Sequence, residues 1–198
     1  DGHVSRCIIC NNSNSGGTYS YGGGANLNSG TIDNCLIVDN TTAKCGGGLY
    51  LSGSAKAYNC TVYGNKASGQ INNYAGGGIR LVGTSAKAYN CAVFGNTANN
   101  EGISGNPDWS ASASEKEGFV NCAFKMSAND TTLVAETPSF VDLANGNYRL
   151  DSGSTLLDAG ADVEGIGETD LDGNPRKSLG SAPDIGCYEY DKSQVSIG

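Results

Sequence analysis

Histidine, tryptophan and methionine each occur once in these 198 residues, there are four prolines, and Lys, Arg, Asp and Glu together make up 16% of the chain. The lone histidine, His3, cannot complete a metal site. Zinc is disfavoured as well, because Cys7-x-x-Cys10 is one cysteine pair without a second. No run approaches the roughly 20 apolar residues of a membrane-spanning helix, which excludes such a span. Cations are also scarce: a formal net charge of -8 argues against sequence-independent binding to nucleic-acid backbones or anionic membrane surfaces. No basic segment followed by an apolar one opens the chain at Asp1-Gly2-His3-Val4, so it reads as a mature or trimmed piece. What is plentiful is glycine, 30 residues of it, and so much glycine with so little charge speaks against a helical bundle.

Charge divides the chain near Asn99. Residues 1–98 carry six cationic side chains against three acids, whereas residues 99–198 carry six against 17 and hold all four prolines. The first half is a repeat. Asn-Cys followed by an apolar strand recurs at Asn34-Cys35, Asn59-Cys60, Asn90-Cys91 and Asn121-Cys122, with Arg6-Cys7 as a degenerate copy, at steps of 28, 25, 31 and 31 residues. Gly-Gly-Gly stretches lie between most copies, at 22–24, 46–48 and 76–78. Three residues before each cysteine stand Val4, Ile32, Ala57, Ala88 and Phe119; two after it stand Ile9, Ile37, Val62, Val93 and Phe124. Both columns are wholly apolar. Positions such as Leu49-x-Leu51 and Ile79-x-Leu81 alternate with the two-residue period of a strand buried on one face. The parity of buried positions slips between Ala57 and Cys60, and again between Ala88 and Cys91, which requires corners near Asn59 and Asn90. Short strands joined by corners and stacked once per repeat make a parallel β-solenoid.

Two asparagine columns follow from this register, Asn34, Asn59, Asn90, Asn121 and Asn12, Asn40, Asn65, Asn96. Both read as structural, because asparagine tolerates left-handed turn geometry and its amide can bond along the stack. Five cysteines (Cys7, Cys35, Cys60, Cys91, Cys122) occupy one core column and read as stacked thiols, since adjacent rungs hold Cβ atoms slightly too far apart for a relaxed disulfide. Cys10, Cys45 and Cys187 lie off that column. Residues 99–117 read as a long loop interrupting the rungs, after which Phe119–Phe124 resumes them. The chain thus divides into regular rungs over 1–98, a loop with the last Asn-Cys rung over 99–137, and irregular rungs, cap and tail over 138–198.

The C-terminal third contains Phe140-Val141-Asp142, Tyr148-Arg149-Leu150, Asp158-Ala159-Gly160, Asp170-Leu171-Asp172-Gly173-Asn174-Pro175-Arg176 and Pro183-Asp184-Ile185-Gly186-Cys187-Tyr188-Glu189. With the glycine-rich Asn-Cys rungs, this order of motifs resembles the bacterial right-handed parallel β-helix proteins that end in a choice-of-anchor Q domain. The resemblance covers nearly the whole chain and departs from the group at Cys187, where alanine is usual, and in the acidic insertion near Trp109. It implies an all-β, right-handed parallel β-helix with a C-terminal capping region, from a secreted or cell-surface bacterial protein. The Asp184-Ile185-Gly186 stretch is expected to form a terminal strand over the last rung. The polar Asp191–Gly198 tail carries no recognisable anchor.

For function, solenoids of this kind include polysaccharide lyases and glycoside hydrolases, and the latter need two carboxylates roughly 5–10 Å apart. The rungs offer only Asp33 and Asp39, and the repeat equivalents of Asp33 are Ser5, Tyr58, Tyr89 and Val120. Lys56 and Lys87 share one repeat position and read as a solvated face. Asp170 and Asp172, with Asp184 nearby, form a weak calcium candidate, a fragment of an EF-hand pattern without its downstream glutamate, and a plain turn explains the same residues. Tyr58 and Tyr89 fall one rung apart at the same position, and Tyr50 aligns with Arg80. Stacked aromatic faces can dock sugar rings or simply stabilise the stack. The expectation is a carbohydrate-contacting adhesion scaffold using Tyr50, Tyr58, Arg80 and Tyr89 against a polysaccharide or surface glycan, with no catalytic residue and no cofactor assigned. A fragment of a lyase or hydrolase and a structural spacer are the alternatives.

Overall fold

The computed structural model describes residues 2–17, 19–69, 76–99, 106–125, 128, 131–134, 138–176 and 181–191. They form a parallel β-solenoid whose coils run through four sheets in turn. Sheet one stacks His3–Ser5, Thr31–Asp33, Lys56–Tyr58, Lys87–Tyr89 and Phe119–Val120. Sheet two stacks Ile8–Cys10, Leu36–Val38, Thr61–Tyr63, Ala92–Phe94, Ala123–Phe124 and Leu133–Val134. Sheet three is built from Ser13–Asn14, Thr41–Thr42, Lys66–Ala67 and Thr97–Ala98, and sheet four from Ala25–Leu27, Leu49–Leu51, Ile79–Leu81 and Trp109–Ser110. The apolar columns hold their register: Val4, Ile32, Ala57, Ala88 and Phe119 pair in sequence, as do Ile9, Ile37, Val62, Val93 and Phe124. From the second coil onward these side chains are fully buried.

Each corner has its own local cause. The residue before each core cysteine is left-handed, with φ of 51° at Asn34, 46° at Asn59, 51° at Asn90, 50° at Asn121 and 50° at Arg6, which turns the chain from sheet one into sheet two. At the next corner the left-handed residue is Asn11, Asp39, Gly64 or Gly95, one place before the second asparagine column. That column does not itself make the turn, but it forms the amide ladder expected along the stack. Backbone N and Nδ2 of Asn12 donate to Asn40 Oδ1, those of Asn40 to Asn65 Oδ1, those of Asn65 to Asn96 Oδ1, and those of Asn96 to Asp108 Oδ1, all at 2.9–3.0 Å. Entry to sheet four needs glycine. Gly46 has φ of 68°, and a Cβ on Gly47 would stand 2.2 Å from Gly77 O of the next coil.

All eight cysteines carry free thiols, and Cys35, Cys60, Cys91 and Cys122 are completely buried. Burial pushes the Cys60 and Cys91 thiols well up, so they stay protonated and inert. Residues 106–110, expected inside a long loop, belong to the stack instead, because Trp109 continues the inward column of Ala25, Leu49 and Ile79. Two residues are too short a strand to show a period, which is why the sequence hid it. Trp109, Phe119 and Phe124 then fill that end of the core with ring centroids 5.1–6.1 Å apart.

The C-terminal third forms an outer layer. An antiparallel pair, Phe140–Asp142 with Asn147–Leu150, and the irregular chain after it lie along the outward side of sheet two. Outward Leu36 and Val38 pack with Tyr148, Cys187 and Tyr188, while Ala92, Phe94 and Ala123 pack with Leu150, Leu156 and Ile185. Gly186 N donates to Asn90 O and Cys187 N to Thr61 Oγ1. The Asp184–Gly186 stretch thus lies along the flank of the coils and is not a strand over the last rung. Thr61 Oγ1 and the corner carbonyls supply acceptors on that flank. The tail beyond 191 lies outside the described residues.

Candidate functional site

The expected contact residues divide between two faces. In sheet one, Tyr58 and Tyr89 do stack, with centroids 5.0 Å apart and planes at 10°. Tyr58 is only 5% exposed, because the outer layer passes directly over it: a Cβ on Gly165 would meet the ring carbon Cζ at 2.9 Å. Burial pushes its phenol up from the ordinary value. Tyr89 is half-buried beside it. In sheet four, Tyr50 and Arg80 are in register within the outward column Asn26, Tyr50, Arg80, Ser110. Arg80 is buried at 8% exposure, with Nη1 3.2 Å from Glu115 Oε2. Glu115 also accepts from Gly83 N at 2.8 Å and Ser112 N at 2.7 Å. The insertion after sheet four therefore folds back and neutralises the cation.

Tyr50 has a further neighbour besides Arg80. Its ring stacks on Tyr21 at 4.7 Å and 17°, Tyr21 meets Tyr19 edge-on at 6.4 Å, and Tyr19 is 79% exposed. Lys44 Nζ sits 5.5 Å from the Tyr21 ring centre. Tyr19, Tyr21 and Lys44 escape a register that rests on the cysteines, because they stand outside its columns. Aligned on the glycine triplets, Tyr21 and Cys45 each stand immediately before one, and they form a parallel bridge. The result is an aromatic run on the outer surface, open where the Tyr58 pair is covered.

The carboxylates of the calcium candidate are committed to the protein's own donors. Asp170 accepts from Asn174 N at 2.7 Å and Glu189 N at 2.8 Å; Asp172 takes Arg149 in a fork at 2.6 and 2.7 Å; Asp184 accepts from Asp158 N at 2.6 Å and Tyr190 N at 2.7 Å. They order the turns of the outer layer. Asp33, the rung acid, is likewise held by His3, Ser5 and Asn34. Among the described residues no group of three or more His, Cys, Asp or Glu side chains is placed to hold a metal, and no helix is long and apolar enough to cross a membrane.

The two closing motifs meet at a buried cation. Arg176 is 0% exposed; its Nε and Nη2 donate to Asn34 Oδ1 at 2.9 and 2.6 Å, and its Nη1 to Glu189 Oε1 at 2.6 Å. Glu189 also accepts from Asp184 N at 3.0 Å. Burial, opposed by Arg176, pushes the Glu189 carboxyl up to about 7. Other corner asparagines complete the seam, Asn59 Nδ2 donating to Asp184 O at 3.1 Å and Asn90 Nδ2 to Ala161 O at 2.8 Å. The first asparagine column is thus a rail to which the outer layer is fastened. Between the antiparallel pair and the closing strap lies a cavity of about 500 Å³ lined by Val141, Arg149, Leu150, Asn174 and Tyr190 among others.

Comparison with known protein families, curated proteins and solved structures finds no match.

Proposed function

We propose that this chain is a carbohydrate-contacting scaffold module of a secreted or cell-surface bacterial protein, with Tyr19, Tyr21 and Tyr50 as its contact surface. The observation that supports this reading is the tyrosine run that leads from Tyr50 on sheet four through Tyr21 to exposed Tyr19. Flat aromatic faces offer apolar area to the C–H side of a sugar ring, while the phenol and the ammonium of Lys44 beside them serve its hydroxyls. Tyr50 is held on a strand of the stack and Tyr21 is tied to the next coil by its bridge to Cys45, which lowers the ordering cost of binding. The bacterial and extracellular parts of the proposal rest on the resemblance of the rungs and closing motifs to choice-of-anchor Q proteins. Glycoside hydrolysis on this face would require a free pair of carboxylates, and Glu115, the acid beside it, is occupied by Arg80, Gly83 and Ser112.

The test is a binding screen of the purified chain against soluble polysaccharides, with reducing-sugar and unsaturated-product assays on each one retained. Binding without product is expected, weakened about tenfold by Tyr50→Ala, which removes a ring at the centre of the run. Product release would overturn the reading in favour of a polysaccharide-degrading fragment. Failure to bind any polysaccharide would leave the spacer role.

A further inference from the structure

Among the described residues the exposed large apolar side chains are Val4 and Ile8 in the first coil, Tyr19 at the end of the tyrosine run, and Val141 at 53%. Val141 belongs to the antiparallel pair of the outer layer and lines the cavity of about 500 Å³ between that pair and the closing strap. A cavity of that size falls within the range of about 300–1,000 Å³ that small-molecule sites occupy. Leu150 and Tyr190 line it as well, so part of its wall is apolar.

The polar part of the wall is braced from behind. Asp170, at 0% exposure, accepts from Asn174 N at 2.7 Å, Asn174 Nδ2 at 3.2 Å and Glu189 N at 2.8 Å, which ties the turn around Gly173 to the closing strap. Asp172 holds Arg149 through Nε at 2.6 Å and Nη2 at 2.7 Å, while Arg149 Nη1 donates to Asn147 Oδ1 at 3.3 Å. The guanidinium carbon also lies 4.8 Å from the centre of the Tyr188 ring. Three segments of the outer layer are thus fixed against one another before a ligand arrives, which keeps the ordering cost of binding low.

The bracing leaves bonding capacity unused. Arg149 keeps a second N–H on each Nη beyond the bonds it makes to Asp172 and Asn147. Asp151 accepts Gly153 N and Ser152 Oγ through Oδ1, and among the described residues no donor reaches its Oδ2 or Asn174 Oδ1. Donors and acceptors set beside an apolar wall match a hydroxylated ring, whose O–H groups both donate and accept and whose C–H side is apolar. Charge narrows the class further. The carboxylates of Asp151, Asp172, Glu189 and Asp191 line the cavity together with the guanidinium of Arg149, so a uronate, sulfate or phosphate group would meet a wall of its own sign. We propose that this cavity is a binding pocket for the terminal unit of an uncharged glycan. Arg149, Asn174 and Asp151 take its hydroxyls, and Val141, Leu150 and Tyr190 take its C–H side. The pocket lies in the outer layer over sheet two and shares no residue with the tyrosine run.

The experiment is a titration of the purified chain, followed by saturation-transfer NMR and calorimetry, with methyl glucoside and methyl galactoside, each beside its own uronate. At least one neutral glycoside should bind with a Kd of about 1–10 mM, and its uronate at least about tenfold more weakly. Arg149→Lys keeps the charge and loses the fork, and should weaken the bound glycoside about tenfold. Val141→Ser changes an exposed position, spares the thermal transition, and should weaken binding about threefold. Tyr21→Ala with Tyr50→Ala should leave this binding unchanged, which separates the pocket from the tyrosine run. The proposal is overturned if neither neutral glycoside binds at about 50 mM, well above a millimolar Kd. Equal affinity for a glycoside and its uronate, or an affinity that the tyrosine pair lowers and the two pocket variants leave unmoved, would overturn it as well.

Discussion

Two tyrosine stacks of nearly equal geometry sit on this solenoid with opposite fates. Tyr58 and Tyr89 lie 5.0 Å apart under a strap that passes over Gly165, while Tyr21 and Tyr50 lie 4.7 Å apart on a face that leads out to exposed Tyr19. Repetition alone produces the Tyr58–Tyr89 stack, because equivalent positions in successive rungs are neighbours at strand spacing, whereas Tyr21, bridged to Cys45, reaches Tyr50 from a different repeat position. Stacking is therefore not evidence of a binding face. What decides is whether something else on the chain has already covered the rings, and here the outer layer, fastened at Asn34, Asn59 and Asn90, makes that choice.

The largest effect should come from unfastening the cover. Arg176→Met leaves Glu189 buried without its cation and Asn34 Oδ1 without its two donors, and should cost about 3–5 kcal/mol in urea unfolding. If the fastening is what separates the two stacks, the same variant should also raise solvent quenching at the Tyr58 pair and leave the Tyr21 pair unchanged. Next, Tyr58→Ala opens a cavity between coil and strap and should cost about 3 kcal/mol, whereas Tyr21→Ala should stay within about 1 kcal/mol. Equal costs would remove the distinction between the stacks. Gly47→Ala, at the entry to sheet four, forces a Cβ toward Gly77 O and should cost about 1–3 kcal/mol.

The smallest effect is a tilt with pH. Glu189 titrates at about 7 in the folded chain against an ordinary value of 4.5, with burial first among the causes and Arg176 opposing it. Because the folded state keeps this proton longer than the unfolded chain does, the stability it contributes is complete below about 4.5 and is lost as pH rises through about 7. Denaturation at pH 5 and pH 8 should show the loss, and Glu189→Gln should flatten that part of the profile. Asp184, whose N–H donates to Glu189 and whose own carboxyl is raised by burial, adds a slope of the same sign.

The coils were legible because a solenoid writes its contacts into its period. Val4, Ile32, Ala57, Ala88 and Phe119 are one column in space because they are one column in sequence, and the parity slips at Asn59 and Asn90 are the corners themselves. The outer layer has no period, so its position on sheet two could not be read: Arg176 and Asn34, the pair that fixes it, are 142 residues apart. For the same reason Tyr58 was expected to face solvent, and nothing local to Tyr58 indicates that Gly165 covers it. Arg80 illustrates the same limit at shorter range, since its partner Glu115 comes from the insertion, where the register is broken. Tyr21 was within reach of the sequence, but only from the glycine triplets.

The most direct measurement is a titration of one retained polysaccharide against two paired variants, Tyr21→Ala with Tyr50→Ala and Tyr58→Ala with Tyr89→Ala, each checked for folding by its thermal transition. Loss of binding by about tenfold or more in the Tyr21–Tyr50 pair, with binding kept in the folded fraction of the Tyr58–Tyr89 pair, is the predicted result. Undiminished binding by the Tyr21–Tyr50 pair would contradict the account.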